Sequence, residues 1–512
     1  MSDAGRRPPN VLLLLSDQHA AGALGCYGNS EVETPALDAL AASGVRFDAA
    51  YTACPVCVPG RFALYTGRYT HALETVRYPA YGPAGAPGAS GAPARSGPAA
   101  LSLREPTLAH RFRDAGYVTG FVGKLHPVAP HTYGFDYYAD FGHYADYLGP
   151  RQATFARGMR AVDSGCGVPW IDTLHATPGG PWADAPLPAG APAVFPDPAD
   201  HQEGFAAREA VRFLRAYGDE PFCLVVSFLK PHAPWTPAPE FAARYDPRRL
   251  TLPPGPGAAP AAGGGHGGGD ASPLPRAIEA VSRRFWQPHE TWPLPPPGDP
   301  ERAGAARRWL AAYYACVTQM DAAAGEVLAA LDDLGLRERT LVLYTSDHGE
   351  MGGAHGLYQK FVFFEGSVRV PLVVRCPWAG APGTAAAAPV DHGDVVPTAL
   401  DLCGLSPAGA RRPQGASLAP LLRRPAQATP PGKGFAFSEF TYPGGPAYML
   451  RAGRWKYVHY TGTGERALFD VEHDPGETAN LAAREGAAGD TATIEAALRR
   501  RLLDWLPAQL PR

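Results

Sequence analysis

Residues 57–68 have the sequence CVPGRFALYTGR, and this stretch is more informative about the chain than any other. It begins with a cysteine that lies two residues before a proline and four before Arg61. Cys54 stands three residues earlier, and a Cys-x-x-Cys pair is typical of a redox dithiol or of half a zinc site. The sequence contains no second such pair. We therefore do not interpret Cys54 and Cys57 as a redox pair or as half of a zinc site.

The same stretch resembles the signature of the sulfatase family, in which the cysteine of Cys-x-Pro-x-Arg is oxidised to formylglycine after synthesis. The hydrate of that aldehyde carries two hydroxyls on one carbon: one attacks the ester, and the other later expels the bound group. The resemblance extends from Pro9 to about Leu481. It implies that Cys57 becomes the nucleophile, that Arg61 braces it by hydrogen bonding, and that a formylglycine-generating enzyme acts on the chain during maturation.

Short apolar segments bounded by turns alternate with helical patterns along most of the chain, which predicts an α/β fold with a largely parallel sheet. These segments are residues 10–16, 118–122, 222–228, 340–345 and 371–375. Before the fourth segment, apolar residues recur every three or four positions from Leu310 to Leu331, which predicts one long amphipathic helix. The resemblance implies an alkaline-phosphatase-like arrangement, in which helices cover both faces of the sheet.

The pattern changes near residue 425, where strand-like segments follow one another without helices. These segments are residues 435–437, 448–450 and 455–458. Gly-rich turns separate them, which predicts a small antiparallel sheet. A terminal amphipathic helix over residues 491–505 is expected to dock on that sheet. The face that would dock comprises Ile494, Leu498, Leu502 and Leu503. We therefore predict a catalytic α/β domain over residues 8–425 and a smaller C-terminal domain over residues 426–512, a division that the resemblance also implies.

Two pairs of polar residues directly follow predicted strands: Asp17-Gln18 after the first and Asp347-His348 after the fourth. Open α/β sheets bind ligands at the carboxyl ends of their strands, so we expect these four side chains to be neighbours. By resemblance, they hold one divalent metal ion together with Cys57. Gln18 and His348 replace the commoner Asp and Asn of the family, which removes an anionic oxygen and adds a nitrogen donor. We expect calcium, with manganese and magnesium as alternatives.

Cationic and proton-transferring residues follow several other predicted strands or their loops. They are Lys124, His126, His232 and Lys360. Cleavage of a sulfate ester develops negative charge that lysines stabilise, and the leaving alkoxide needs a proton. By resemblance, Lys124 and Lys360 contact sulfate oxygens. His232 contacts or protonates the leaving side, and His126 takes a proton from the second hydroxyl of the hydrate.

The composition bounds the partners of the protein. The sequence has 46 Lys and Arg against 49 Asp and Glu, for a formal net charge of -3. This balance gives no overall attraction to nucleic acid or to a membrane surface, so neither is expected as a partner. The apolar run at residues 11–15 is shorter than a signal-peptide core, and no segment reaches the roughly 20 apolar residues of a membrane span. We therefore expect a cytoplasmic protein.

Two stretches rich in Ala, Gly and Pro, residues 79–100 and 253–275, are interpreted as surface insertions. The rim of the active site is expected to come from loops at residues 90–102, 135–148 and 443–448. The aromatic residues in the second of these loops could stack on the alcohol part of a substrate or pack against one another. They are Tyr137, Tyr138, Tyr144 and Tyr147.

Taken together, these residues predict a sulfuric ester hydrolase that releases an alcohol and inorganic sulfate from a small-molecule or saccharide sulfate ester. One alternative is a phosphonate monoester or phosphodiester hydrolase with the same nucleophile, because Gln18 and His348 resemble the metal ligands of the choline-sulfatase-like and phosphonate monoester hydrolase branches. The other is a noncatalytic anion- or carbohydrate-binding protein that kept the fold, since a fold alone does not secure an activity.

Overall fold

The first strand shows why this sequence builds a sheet that is buried on both faces. The computed structural model describes residues 7–73, 104–125, 132–149, 197–233, 235–253, 278, 301–407, 411–426, 432–442, 444–482 and 489–509. Residues Asn10–Asp17 are all buried, as an unbroken apolar run requires. Successive side chains of a strand point to opposite faces. Leu13 and Leu15 accordingly belong to one hydrophobic core, and Leu12 and Leu14 belong to another.

The strands of the described residues are, in chain order, β1 (Asn10–Asp17), β2 (Val45–Phe47), β3 (Ala50–Tyr51), β4 (Val118–Gly123), β5 (Tyr137–Ala139), β6 (Phe222–Pro231), β7 (Thr340–Ser346), β8 (Leu372–Arg375), β9 (Thr384–Ala386), β10 (Val390–Asp391), β11 (Ala436–Tyr442), β12 (Gly445–Ala452), β13 (Trp455–Tyr460) and β14 (Arg466–Asp470). The α-helices are α1 (Pro35–Ala42), α2 (Cys57–Thr66), α3 (Leu108–Asp114), α4 (Phe141–Leu148), α5 (Gln202–Tyr217), α6 (Pro239–Ala242), α7 (Glu301–Asp333), α8 (Glu365–Val368), α9 (Val395–Leu402), α10 (Ala419–Arg423) and α11 (Asp490–Gln509).

The main sheet is mostly parallel. Its eight strands run in the order β5-β4-β6-β1-β7-β8-β2-β9, and only β8 is antiparallel to its neighbours, β7 and β2. A four-stranded antiparallel sheet follows it in the chain, in the order β11-β12-β13-β14. The predicted fold class, a mostly parallel α/β sheet with a smaller antiparallel sheet at the C-terminal side, is confirmed.

Helices cover both faces of the main sheet. On one face, α2 and α3 contribute Phe62 and Phe112 to the core that contains Leu13. On the other face, α5 and α7 contribute Phe213 and Met320 to the second core. Within the described ranges, none of the helices combines the length and the apolar character that crossing a bilayer requires.

The predicted long helix is α7, and one of its buried side chains caps another helix. Asp321 accepts hydrogen bonds from the backbone N–H groups of Ala36 at 3.0 Å and Leu37 at 2.8 Å, in the first turn of α1. The N-cap residue of α1, Thr34, makes no capping bond with its own side chain. Because the first N–H groups of a helix have no partner within it, Asp321 supplies from α7 the cap that α1 lacks.

The terminal helix α11 docks on the small sheet as predicted, with one difference. Leu498 and Leu502 are buried in the cluster that contains Leu450 and Tyr457 of the sheet. Leu503, which was predicted on the same face, is 48% exposed. Consecutive helical residues point about 100° apart. Leu502 faces the sheet, so Leu503 points away from it.

A buried ion cluster joins the small sheet to the main domain. Lys456 on β13 lies 3.0 Å from Glu365 on α8 and also pairs with Glu477. The backbone N–H of Glu365 donates to Glu477 Oε2 at 2.6 Å. Burial raises the pKa of Glu477 to about 7, with Lys456 opposing the shift and Glu365 adding to it. Two carboxylates therefore share one ammonium group. The domain boundary at residues 425/426 stays a prediction.

Residues 135–148 are not the loop that the sequence predicted, because they form β5 and α4. Tyr144 is buried and donates to the Asp200 carbonyl at 2.7 Å, and Tyr137 donates to Glu209 at 2.6 Å. These two side chains therefore pack within the protein. The predicted loops at residues 79–100 and 90–102 lie outside the described residues, as does all but the first residue of the stretch at 253–275.

All five lysines of the sequence have buried side chains. Lys124, Lys230, Lys360 and Lys456 are each at most 5% exposed, and the side chain of Lys433 is 7% exposed. Lysine is ordinarily a surface residue and is almost never buried unless it is paired. The lysines of this chain are therefore interior residues.

Candidate active site

The candidate site lies at the carboxyl ends of the central parallel strands. Asp17 is the last residue of β1, Asp347 follows β7, and Lys124 follows β4. Strand β1 pairs with both β6 and β7, which brings these loops to one edge of the sheet. Helix α2 begins at Cys57, so its N-terminal turn meets the same edge. Free N–H groups in the first turn of a helix favour negative charge beside them.

Cys57 lies at the centre of this group and is 4% exposed. Its Sγ lies 3.0 Å from Lys360 Nζ, 3.1 Å from His348 Nε2 and 3.8 Å from Asp17 Oδ1. In hydrated formylglycine, an oxygen would stand where Sγ stands. Burial and Asp17 act to raise the pKa of Cys57, but Lys360, His348 and Lys124 outweigh them and hold it well below its usual range. The surroundings therefore stabilise a negative charge on residue 57.

Arg61 lies one helical turn after Cys57 and bonds to both carboxylates of the site. Its guanidinium bonds to Asp17 Oδ2 at 3.0 Å and to Asp347 Oδ2 at 2.7 Å. Its Nη1 also donates to the Lys124 carbonyl and to Ser227 Oγ, both at 2.7 Å. All of these side-chain atoms are buried, and the planar fork of arginine suits such bridging. Arg61 thus fixes the two carboxylates relative to each other.

Four donor atoms converge as a metal ion requires. Asp17, Cys57, Asp347 and His348 each offer one, and these atoms lie within 4.8 Å of one another. His348 Nδ1 donates to the Gly349 carbonyl at 3.0 Å, so in the neutral ring Nε2 carries a lone pair. That Nε2 lies 3.6 Å from Asp347 Oδ1 and 3.8 Å from Asp17 Oδ1. Electron-pair donors that face one another at such distances fit a divalent cation between them.

The electrostatics of the two carboxylates agree with that fit. Burial alone would raise the pKa of Asp17, but Lys124, His232 and Arg61 hold it well below its usual value. Burial and the charge of Asp17 raise the pKa of Asp347 to about 6. Two buried carboxylates therefore repel each other in spite of the arginine between them, and a cation would relieve that repulsion.

Gln18 presents both ends of its amide to charged groups. Its Oε1 accepts from Lys360 Nζ at 3.0 Å, and its Nε2 donates to Glu350 Oε2 at 2.5 Å. Its backbone has φ 67°, in the left-handed region that a non-glycine residue rarely adopts. The Gln18 N–H donates to Asp347 Oδ1 at 3.1 Å, and its carbonyl accepts from Tyr313 Oη at 2.9 Å. These bonds hold the strained backbone in place.

Two lysines flank the nucleophile position. Lys124 Nζ lies 2.6 Å from Asp17 Oδ2, and Lys360 contacts Cys57 as described above. Burial alone would lower the pKa of Lys360, but Cys57 and Asp17 raise it above its ordinary value. Lys360 therefore keeps its charge although it is buried.

His232 also faces the site. Its Nδ1 donates to the Ala233 carbonyl at 2.6 Å, and its Nε2 lies 4.0 Å from Asp17 Oδ1. Burial, aided by Lys124 and Lys360, lowers the pKa of His232 to about 4. Because Nδ1 already holds a proton, Nε2 can donate only when the ring is protonated.

The structure brings together nine of the ten residues that the sequence predicted for the site, and their individual roles stay predictions. The nine are Asp17, Gln18, Cys57, Arg61, Lys124, His232, Asp347, His348 and Lys360. The tenth, His126, lies outside the described residues.

Three residues of the site were missed by the sequence analysis. Glu350 stands two residues after His348, and an acidic residue in a Gly-rich turn beside a ligand pair was a usable signal. Ser227 interrupts an apolar strand, which was a weaker signal. Tyr313 lies within the apolar period that predicted α7, and nothing in a helical period shows that its hydroxyl reaches a distant carbonyl.

A cysteine at a helix N-terminus, buried lysines and a cluster of side chains that could hold a metal ion lie together at this edge of an alkaline-phosphatase-like α/β fold. Residues 9–405 match the sulfatase family, and residues 353–505 match the C-terminal region of N-sulphoglucosamine sulphohydrolase. The chain is 31% identical to the choline-sulfatase of Rhizobium meliloti, over 97% of this chain and 87% of that relative. The chain therefore belongs to the sulfatase family.

Solved structures share the fold. The phosphonate monoester hydrolase of Agrobacterium radiobacter aligns with a TM-score of 0.71 and 25% identity, over 98% of this chain and 96% of that one. The phosphonate monoester hydrolase of Silicibacter pomeroyi aligns with a TM-score of 0.74 and 22% identity over the same shares. The predicted enzyme class, a sulfuric ester hydrolase, is confirmed by the family match, and the hypothesis of a noncatalytic binding protein is set aside.

Proposed function

We propose that this enzyme hydrolyses sulfate monoesters to an alcohol and inorganic sulfate, with a formylglycine made from Cys57 as the nucleophile. The observation that carries the proposal is the position of Cys57 Sγ, at the N-terminus of α2 and within 3.1 Å of both Lys360 Nζ and His348 Nε2. Groups that favour an anion surround the atom that would attack. A formylglycine-generating enzyme is the partner required for maturation.

The chemistry assigned to residue 57 explains why a thiol alone would not serve. One hydroxyl of the hydrated aldehyde attacks sulfur in line with the leaving alcohol, and the S–O bond to that alcohol breaks. The second hydroxyl then loses its proton, the carbonyl re-forms, and the bond to sulfate breaks. Water adds to the aldehyde and restores the hydrate. Each turnover thus consumes one water and leaves residue 57 unchanged.

A divalent metal ion is part of the proposal, and Asp17, Gln18, residue 57, Asp347 and His348 would hold it. When bound, such an ion lowers the pKa of a coordinated hydroxyl and offsets the charge of sulfate oxygens. Calcium is the expected ion. Calcium prefers oxygen ligands, however, and the nitrogen donor of His348 suits manganese better, so manganese is the alternative that this ligand supports.

The remaining residues are assigned to charge and proton transfer. Lys124 and Lys360, both buried beside residue 57, would contact the nonbridging oxygens of the ester. His232 would protonate the leaving alkoxide through Nε2 from its imidazolium form, because its Nδ1 proton is held by the Ala233 carbonyl and the neutral ring has no proton on Nε2. His126 would take the proton of the second hydroxyl.

Small-molecule and saccharide sulfate esters are the proposed substrate class, and the resemblance to a choline-sulfatase supports a small alcohol. A second candidate is phosphonate monoester or phosphodiester hydrolysis with the same nucleophile. The likeness to the phosphonate monoester hydrolase of Agrobacterium radiobacter supports it, as do Gln18 and His348 at positions where the sulfatase family more commonly has Asp and Asn. Sulfate and phosphonate monoesters share a tetrahedral shape, so one site could accept both.

The test compares kcat/KM on an aryl sulfate monoester and on an aryl phosphonate monoester, with Cys57→Ala as the blank. Mass spectrometry of the peptide containing residue 57 establishes whether the cysteine has been converted. A strong sulfate preference that disappears in Cys57→Ala supports the proposal. A phosphonate preference supports the second candidate, and activity retained in pure Cys57→Ala contradicts the formylglycine mechanism.

A further inference from the structure

We propose that Glu350 is a positioning residue that fixes the amide of Gln18 with its oxygen toward the metal site. The inference rests on the proposed metal site. A carboxylate at position 18 would offer an oxygen in either orientation, but an amide offers an oxygen at one end and N–H groups at the other. The orientation of the amide therefore decides whether Gln18 can bind a cation.

The contacts at the two ends of the amide agree with each other. Glu350 Oε2, which can only accept from an amide, lies 2.5 Å from Gln18 Nε2. Lys360 Nζ, which can only donate, lies 3.0 Å from Gln18 Oε1 and 3.0 Å from Cys57 Sγ. The oxygen end of the amide thus lies on the side of residue 57 and the nitrogen end on the side of Glu350. If the amide were turned over, its NH₂ group would face the Lys360 ammonium and its oxygen would face the Glu350 carboxylate, and both contacts would be repulsive.

Glu350 is itself fixed, by bonds that use its other oxygen. It is 3% exposed, and its Oε1 accepts from the backbone N–H groups of Gly352 at 2.9 Å and Gln359 at 2.5 Å. Gln359 directly precedes Lys360. One carboxylate therefore orients Gln18 through Oε2 and holds the backbone next to Lys360 through Oε1.

This division between the two oxygens makes the inference testable. In Glu350→Gln, the amide oxygen can keep both backbone bonds while an NH₂ group replaces the oxygen that faces Gln18. Gln18 can then pair only by turning its own oxygen away from the site, which places N–H groups toward Lys360 and the cation. We expect metal affinity to fall by roughly 10- to 100-fold, the range for lost outer-shell partners of metal ligands.

The decisive control is the same change in a Gln18→Glu background. The carboxylate introduced at position 18 can accept from the amide at position 350 with one oxygen and still offer the other to the cation. Glu350→Gln should therefore not weaken metal binding in that background, where it also removes the repulsion between the carboxylates at positions 18 and 350. A general loss of negative charge, or a loss of loop support, would weaken binding equally in both backgrounds.

The experiment is isothermal titration calorimetry with Ca²⁺ and with Mn²⁺ on chelator-treated full-length protein. The four proteins are wild type, E350Q, Q18E and Q18E/E350Q, each checked for folding by circular dichroism. Weakening by E350Q in the Gln18 background alone supports the inference. Equal weakening in both backgrounds, or no weakening in either, overturns it.

Two further outcomes distinguish failure of this inference from failure of the proposed metal site. If wild type binds neither ion stoichiometrically, the proposed metal site fails and the inference falls with it. If wild type binds an ion and E350Q binds it equally well, only the inference fails. Should E350Q alone not fold, a folded Q18E/E350Q that binds metal at least as tightly as Q18E supports the inference, and failure of the double variant to fold overturns it.

Discussion

Lys360 Nζ and Cys57 Sγ lie 3.0 Å apart although they are separated by more than 300 positions in the chain. Both side chains are buried, and Gln18 Oε1 accepts a second bond from the same ammonium group. An ammonium held in this way is placed before any substrate arrives, so little reorganisation is needed when charge develops on the ester.

The first prediction concerns that ammonium. Lys360→Met should lower kcat/KM by about 100-fold or more, because a positioned donor to a developing oxyanion is worth roughly 10²–10³ in rate. The measurement is steady-state kinetics on the better aryl ester, with conversion of residue 57 quantified in the same preparation.

Lys433→Met is the matched control for this change. Lys433 is also a buried, ion-paired lysine, but its charged partners are Asp391 at 2.6 Å and Asp394 at 3.3 Å. It should lose stability while its folded fraction keeps wild-type kcat/KM. Wild-type activity in Lys360→Met would contradict the role assigned to Lys360.

The second prediction concerns the arginine that bridges the two carboxylates. Arg61→Met leaves Asp17 and Asp347 buried without their shared partner, so the free energy of unfolding should fall by about 3–5 kcal/mol. Urea denaturation followed by circular dichroism measures the change. Arg337→Ala removes an ion pair to Asp332 whose side chains are 39% and 45% exposed, and it should cost less than about 1 kcal/mol. Similar losses in the two variants would contradict the bridging role.

The third prediction concerns the cap that α7 supplies to α1. Asp321→Ala leaves the N–H groups of Ala36 and Leu37 without their acceptor and should lower the free energy of unfolding by about 1–2 kcal/mol. Asp321→Asn keeps one acceptor oxygen and should lose less. Asp333→Ala, at the exposed end of the same helix, is the control and should stay within about 0.5 kcal/mol of wild type. A loss in Asp321→Ala no larger than in this control would contradict the capping role.

The fourth prediction concerns pH and the ion cluster at the small sheet. The pKa of Glu477 is raised from 4.5 to about 7, so between these values the folded state holds more protons than the unfolded state. The contribution of Glu477 to stability is therefore complete below about pH 4.5 and is lost as the pH rises through about 7.

Glu477→Gln removes this dependence because an amide does not titrate. The difference in free energy of unfolding, wild type minus variant, should decrease by on the order of 3 kcal/mol between pH 4.5 and pH 8. A difference that stays constant with pH would show that Glu477 titrates normally.

Much of the fold was predictable because buried strands and amphipathic helices leave clear periods in a sequence. The run at residues 10–16 and the apolar period of α7 are examples: the strand appears close to its predicted bounds, and the helix begins at Glu301, well before the predicted Leu310. The direction of a strand leaves no comparable pattern in the sequence. Residues 371–375 gave a strand, but nothing in them shows that β8 is antiparallel to β7.

The candidate site was predictable where a polar residue ends an apolar strand, as at Asp17 and Asp347. It was not predictable where the contact depends on how distant elements pack. The bond from Tyr313 to the Gln18 carbonyl joins α7 to β1 across 295 positions of the chain. Residues 135–148 were predicted as a rim loop, yet they pack against α5 and form β5 and α4.

Five interior lysines have a practical consequence for work with this protein. Reagents that acylate amines find no lysine side chain on the folded surface, because four of the lysines are at most 5% exposed and the side chain of Lys433 is 7% exposed. Modification of a lysine in the native protein therefore reports that the interior has opened. Lys124 and Lys360 would report access to the active site, Lys456 the separation of the small sheet from the main domain, and the time course of labelling at each would map local opening residue by residue.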